Sequence, residues 1–197
     1  MATAKQELKR LCTELNSGNL AKVTIFQNRN FSEESGGNTV GGYVIDEKIP
    51  ARILLCKKKV SYRDLILILL HEIGHVLDKN RYPKCNRLKI WSKYYFTSKE
   101  LEKSKGYSKY IKFAFLHTEY IAEKYIPKLI KKLKVALDKP FTKKEIDNNN
   151  YSVLKIYKYE FIYGEHPTRR LKKLWLDQLT KKPKELTLEY VKDVNHI

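Results

Sequence analysis

The stretch His71-Glu72-Ile73-Gly74-His75, preceded by the apolar run Leu65 to Leu70 and followed by Val76-Leu77-Asp78, decides how the rest of the chain is read. Positions i and i+4 share one helical face, so both imidazoles can reach a single ion while Glu72, one position further round, can address a water there. Ser61 stands ahead of the apolar-periodic residues and Asp64 three positions on, which predicts a capped helix from Tyr62 to Lys79, with Pro83 ending any continuation. Gly74, between the two histidines, permits close packing of a neighbouring element. The plain alternative is two histidines and a glutamate on an ordinary helix. Burying all three in an apolar stretch is costly without a metal or hydrogen-bond partners.

A catalytic zinc needs a third protein ligand and an open position. A histidine six residues after His75 would make a metzincin-like site, but that position is Arg81. The segment His117-Thr118-Glu119-Tyr120-Ile121-Ala122-Glu123 offers a carboxylate on a second helix instead, and Glu119 is the expected third ligand. Glu123, one turn on, is placed to accept the free N–H of a ligating histidine, with Asp78 competing for that role.

These residues carry a resemblance. His71-Glu72-x-x-His75 followed by Glu119-Tyr120-x-Ala122-Glu123 resembles the gluzincin superfamily of zinc peptidases, whose ligand glutamate opens a Glu-x-x-Ala helix motif downstream of H-E-x-x-H. The run His71 to Asp78 with Glu119 to Glu123 is similar to the lethal-factor-type toxin peptidases. The small size and the short strands before the motif are similar to the ImmA/IrrE-type regulators. Glu165-His166-Pro167-Thr168-Arg169-Arg170-Leu171 resembles the His-Pro…Arg helix of membrane-embedded members of the superfamily, although the arginine there stands further from the His-Pro pair.

The resemblance implies a zincin-like fold and a Zn2+-dependent endopeptidase. His71, His75 and Glu119 would hold the metal, and Glu72 would act as the general base for peptide-bond hydrolysis. Gluzincins add a Tyr, His or Arg donor for the tetrahedral intermediate, and Tyr110, His117, His166 and Arg169 are the candidates here. The substrate is expected to pair along the edge strand Gly42, Tyr43, Val44, Ile45 and Asp46.

Outward from the motif, the fold expected is α+β. Leu8, Leu11, Cys12 and Leu15 have helical spacing, which predicts a helix over Thr3 to Ser17 closed by Gly18. Three β-rich runs follow, Lys22 to Gln27, Thr39 to Asp46 and Ala51 to Lys57, and read as a small twisted sheet. A helix is expected from Arg87 to Phe96 and a longer one from Tyr107 to Leu137, kinked by Pro127 near Tyr125. Two more begin at Thr142 and Pro167 and end near Gly164 and Thr180. The whole reads as one zincin-like domain: residues 1–60 helix plus sheet, 61–137 metal-site helices, 138–197 helical extension.

With 197 residues, 42% of them hydrophobic, the chain can bury a sizeable core. No apolar run approaches the roughly 18 to 20 residues of a membrane span, and Met1 to Arg10 lacks the hydrophobic stretch of a secretory signal, so a cytoplasmic location is expected. For a virus-encoded protein this would be the host cytoplasm. Cys12, Cys56 and Cys85 form no C-x-x-C pair and read as reduced thiols.

Forty Lys and Arg against 22 Asp and Glu give a net charge of +18. That charge favours anionic partners: an acidic protein or peptide substrate, nucleic acid or an anionic membrane surface. Abundant Lys, Asn and Tyr fit an AT-rich phage or mobile element. Lys124, Lys128, Lys131, Lys132 and Lys134 cluster just after the Glu119 turn, so the alternative function is a basic, nucleic-acid-associated or regulatory binding protein with a structural or vestigial metal site. A glutamate in the general-base position favours the peptidase.

Overall fold

A computed structural model of the chain describes residues 2–27, 42–46, 49–57, 60–78, 109–150 and 154. The chain divides into two compact units, one of Met1–Arg81 and Ile121–Thr142, the other of Tyr82–Tyr120 and Lys143–Ile197.

The first unit begins with α1, Ala4–Ser17. Thr3 caps it reciprocally: its hydroxyl accepts from the Gln6 N–H, and the Gln6 side-chain oxygen accepts from the Thr3 N–H at 2.9 Å. At the other end the Gly18 N–H donates to the Glu14 and Leu15 carbonyls. Leu8, Leu11, Cys12 and Leu15 are buried, as the 3–4 spacing predicts.

Three strands follow: β1 (Ala21–Phe26), β2 (Gly42–Asp46) and β3 (Ala51–Cys56). The order in the sheet is β1-β3-β2, with β3 parallel to β1 and antiparallel to β2. Its central place explains why β3 is buried continuously from Ile53 to Cys56 rather than alternately. Phe26 packs on Leu54 and Cys56 on one face of the sheet. Helix α1 and the next helix, α2 (Tyr62–Leu77), pack on the sheet and on each other.

The free edge of β1 is closed at one point. In the parallel pairing Ala51 and Lys57 donate to Leu20 and Phe26, so the odd-numbered residues of β1 turn their N–H and C=O away from β3. Asn16 meets both groups of Val23: its amide oxygen accepts from the Val23 N–H at 2.6 Å, and its NH2 donates to the Val23 carbonyl at 3.0 Å. Lys22 ties the same corner by donating to the Asn16 and Gly18 carbonyls.

Helix α3 (Lys109–Lys132) runs through Pro127 and ends five residues short of the expected Leu137. Lys134 takes a left-handed φ of 48°. The Val135 N–H then reaches back to the Ile130 carbonyl and the Lys134 N–H to Lys131, a Schellman turn closed without glycine.

Contacts from α1 hold this turn. Glu7, buried, accepts from the Ala136 N–H at 3.0 Å and from two Arg10 nitrogens, and Arg10 also donates to the Leu133 carbonyl at 2.8 Å. Ala2 bridges to Leu137, and Arg63 of α2 donates to the Lys139 and Pro140 carbonyls while stacking on Phe141.

In the second unit, the described residues are the N-terminal half of α3, helical residues 143–150, which begin where Thr142 was expected to start a helix, and residue 154. Leu116, Ile146, Asn150 and Leu154 are buried.

The arrangement is α+β. The expected helix over Arg87 to Phe96 and the His-Pro helix lie outside the described residues. Among the described residues no helix is long and apolar enough to cross a membrane.

Candidate metal centre

From Leu65 to Leu77 helix α2 is aliphatic apart from His71, Glu72, Gly74 and His75, and Ser61 starts the helix by accepting from the Asp64 N–H. Every residue from Leu65 to Val76 except Ile68 is buried, so the polar trio His71, Glu72 and His75 is drawn into the interior by its aliphatic neighbours. The two imidazoles meet edge to face, with centroids 4.4 Å apart and planes at 87°. Asp78 closes the helix as its C-cap, its N–H donating to the Gly74 and His75 carbonyls.

Among the described side chains of α3 the buried ones are Leu116, Glu119, Ala122, Glu123, Ile126 and Leu129, a stripe at spacings of three and four. Glu119 and Glu123 thus share one face, a turn apart. The two helices touch where side chains are smallest: a Cβ built on Gly74 would stand 2.5 Å from the Ala122 carbonyl oxygen and 2.9 Å from its Cα. Only glycine admits that approach.

His71, His75 and Glu119 come together as a buried cluster whose ligand atoms all lie within 4.8 Å of one another. Glu123 stands behind it, its Oε1 2.7 Å from His71 Nδ1. With Nδ1 turned to that carboxylate, Nε2 is the nitrogen His71 has left to offer an ion. Counting Glu72, five ionisable side chains are buried here, none more than 8% exposed. Two imidazoles and one carboxylate fit a divalent transition ion such as Zn2+, which binds nitrogen and oxygen donors together. The cluster can hold a metal.

The other residues named from the sequence fall differently. Tyr110 and His117 lie on α3, in the part whose side chains are not described, while His166 and Arg169 lie outside the described residues. Gly42 to Asp46 form β2, the antiparallel edge strand beside α2. Cys12 and Cys56 are buried free thiols, and burial pushes the Cys12 thiol up to about 11, which keeps it protonated and unreactive.

What the sequence did not offer is the anchoring of the far end of α3 by Glu7 and Arg10, contacts that span more than 120 residues of chain. No protein-family model, curated protein or solved structure matches the chain.

Proposed function

We propose that the protein is a zinc-dependent endopeptidase of the gluzincin type. The observation that carries the reading is the buried His71-His75-Glu119 cluster with Glu72 beside it on the same helix and Glu123 against His71. A structural metal site needs only its ligands. A buried glutamate following the first of them has its use in proton transfer.

In this reading His71, His75 and Glu119 hold the ion, which when bound supplies a Lewis acid that lowers the pKa of water to about 7. Glu72 takes a proton from the attacking water onto its carboxylate as the new C–O bond forms at the scissile carbonyl. It returns that proton to the amide nitrogen as the C–N bond breaks, so the products leave as a free acid and a free amine. Glu123 holds His71 in one tautomer, with Nε2 free for the metal. The peptide lies extended along β2, whose outer edge carries no partner among the described strands, whereas Asn16 already occupies the main-chain groups of Val23 on the opposite edge.

The test has two readouts. Elemental analysis of purified protein should give one zinc per chain, lost or weakened in His71→Ala and Glu119→Ala. A peptide-library digest should show cleavage that Glu72→Gln abolishes while its zinc stays bound. Zinc binding with cleavage unchanged in Glu72→Gln would overturn the mechanism, and no zinc in the wild type after metal addition would overturn the site.

A further inference from the structure

The metal centre uses only one face of α3. At 3.6 residues per turn each residue advances about 100°, so Glu119, Ala122, Glu123, Ile126 and Leu129 point inward and Lys124, Lys128, Lys131 and Lys132 point the opposite way. All four lysines are exposed. From Lys124 to Lys134 the chain carries five lysines and no acid. Among the described residues Lys131, Lys132 and Lys134 have no ion-pair partner, and the Lys128 ammonium only overhangs the Tyr125 ring at 5.8 Å.

Like charges three and four apart on a helix repel and destabilise it. Lys131, Lys132 and Lys134, with no acid paired to them among the described residues, form a surface whose counter-charge comes from elsewhere. The row is also rigid at its end, because Arg10, Glu7 and the Schellman turn fix residues 133–136.

The neighbouring residues narrow the partner. An interfacial helix on an anionic membrane presents large apolar side chains beside its lysines. Here the aliphatic stripe is buried, and the other exposed residue between Lys124 and Lys132 is Pro127. Single-stranded nucleic acid calls for exposed aromatic platforms on which bases stack, whereas Tyr125 is half-buried beneath Lys128. Point charges without aromatics or hydrogen-bonding amides suit a regular phosphate backbone that is contacted but not read.

We infer that the outer face of α3, made of Lys128, Lys131 and Lys132 with Lys134 at its end, docks on the phosphate backbone of a nucleic-acid duplex without sequence preference. The surface lies on the opposite side of the helix from Glu119 and Glu123 and does not depend on the peptidase reading.

Fluorescence anisotropy with a labelled, mixed-sequence DNA duplex of about 20 base pairs, titrated with the full-length protein at several salt concentrations, tests this. The expected result is a log–log salt slope that falls by about 2 in Lys128→Ala/Lys132→Ala, close to 0.9 for each phosphate contact removed. The charge-matched control Lys5→Ala/Arg52→Ala, exposed elsewhere, should leave the slope near the wild-type value. Three results would overturn the proposal: no duplex binding at low salt; equal losses in the two variants, which would mean diffuse attraction by net charge; or stronger lysine-dependent binding to polyglutamate or phosphatidylserine vesicles than to the duplex.

Discussion

The backbone of Ala122 lies so close to Gly74 that a single added carbon on the glycine would sit 2.5 Å from the Ala122 carbonyl oxygen. The obstructing atoms are backbone, so no side-chain rotation relieves the clash and the helices themselves must move. Gly74→Ala is therefore expected to destabilise the protein by about 1–3 kcal/mol and to weaken metal retention, because the histidines on α2 and the glutamates on α3 keep their spacing through this contact. Urea denaturation and the zinc content of the variant check it; wild-type values for both would show that some other contact sets the spacing.

Glu123 sits 2.7 Å from His71 Nδ1 in a buried position. Replacing it by glutamine keeps its size and removes its charge, so Glu123→Gln should lower zinc affinity roughly 10- to 100-fold without unfolding the helix. Competition against a chromophoric chelator measures this. Unchanged affinity would mean that His71 is oriented without the carboxylate.

Glu7 ties stability to acidity. The Arg10 guanidinium, helped by the Ala136 N–H, holds the Glu7 carboxyl below its ordinary 4.5 although burial pushes the other way. A carboxylate with a depressed folded-state pKa stabilises the fold above its unfolded pKa, and that contribution is lost as pH falls through the folded value. Arg10 is 41% exposed, which screens the pair, so Glu7→Gln should cost about 1–2 kcal/mol at neutral pH. The difference from wild type should narrow below pH 4.5. Denaturation curves across pH 3–7 decide it, and a gap that stays constant would remove Glu7 from the titration.

Lys134 closes α3 with a φ of 48°, in the region where a side chain is strained and glycine is not. Lys134→Gly should therefore stabilise the protein by about 0.5–1 kcal/mol, the relief of strain exceeding the extra chain entropy of glycine. A higher Tm by calorimetry is the expected outcome; a lower one would mean that the lysine stem contributes more to the turn than its strain costs.

Local signals carried much of the architecture. Thr3 and Gly18 bracket α1 and Ser61 starts α2, where short-range capping chemistry places them. The stripe that brings Glu119 and Glu123 to one face of α3 is likewise visible as periodicity, as is the spacing of His71 and His75. Three features were hidden for a common physical reason, their dependence on distant chain. The central position of β3 follows from pairing with both other strands, and the sequence order of the runs does not specify it. The early end of α3 is marked by no glycine or proline at residues 132–136; Glu7 and Arg10 hold it from the other end of the first unit. Asn16 reads as an ordinary helix-terminal residue until Val23 is seen beside it.

That amide at Val23 governs how copies of the sheet can meet. A ladder of subunits growing without limit needs two usable edges on each, one to receive and one to extend. Asn16 fills the hydrogen-bonding groups at the middle of β1, leaving β2 as the edge open to strand addition among the described strands. Two copies joined β2 to β2 would therefore end, among the described strands, on two β1 edges that Asn16 blocks at Val23, so this pairing favours a closed pair over a growing ladder.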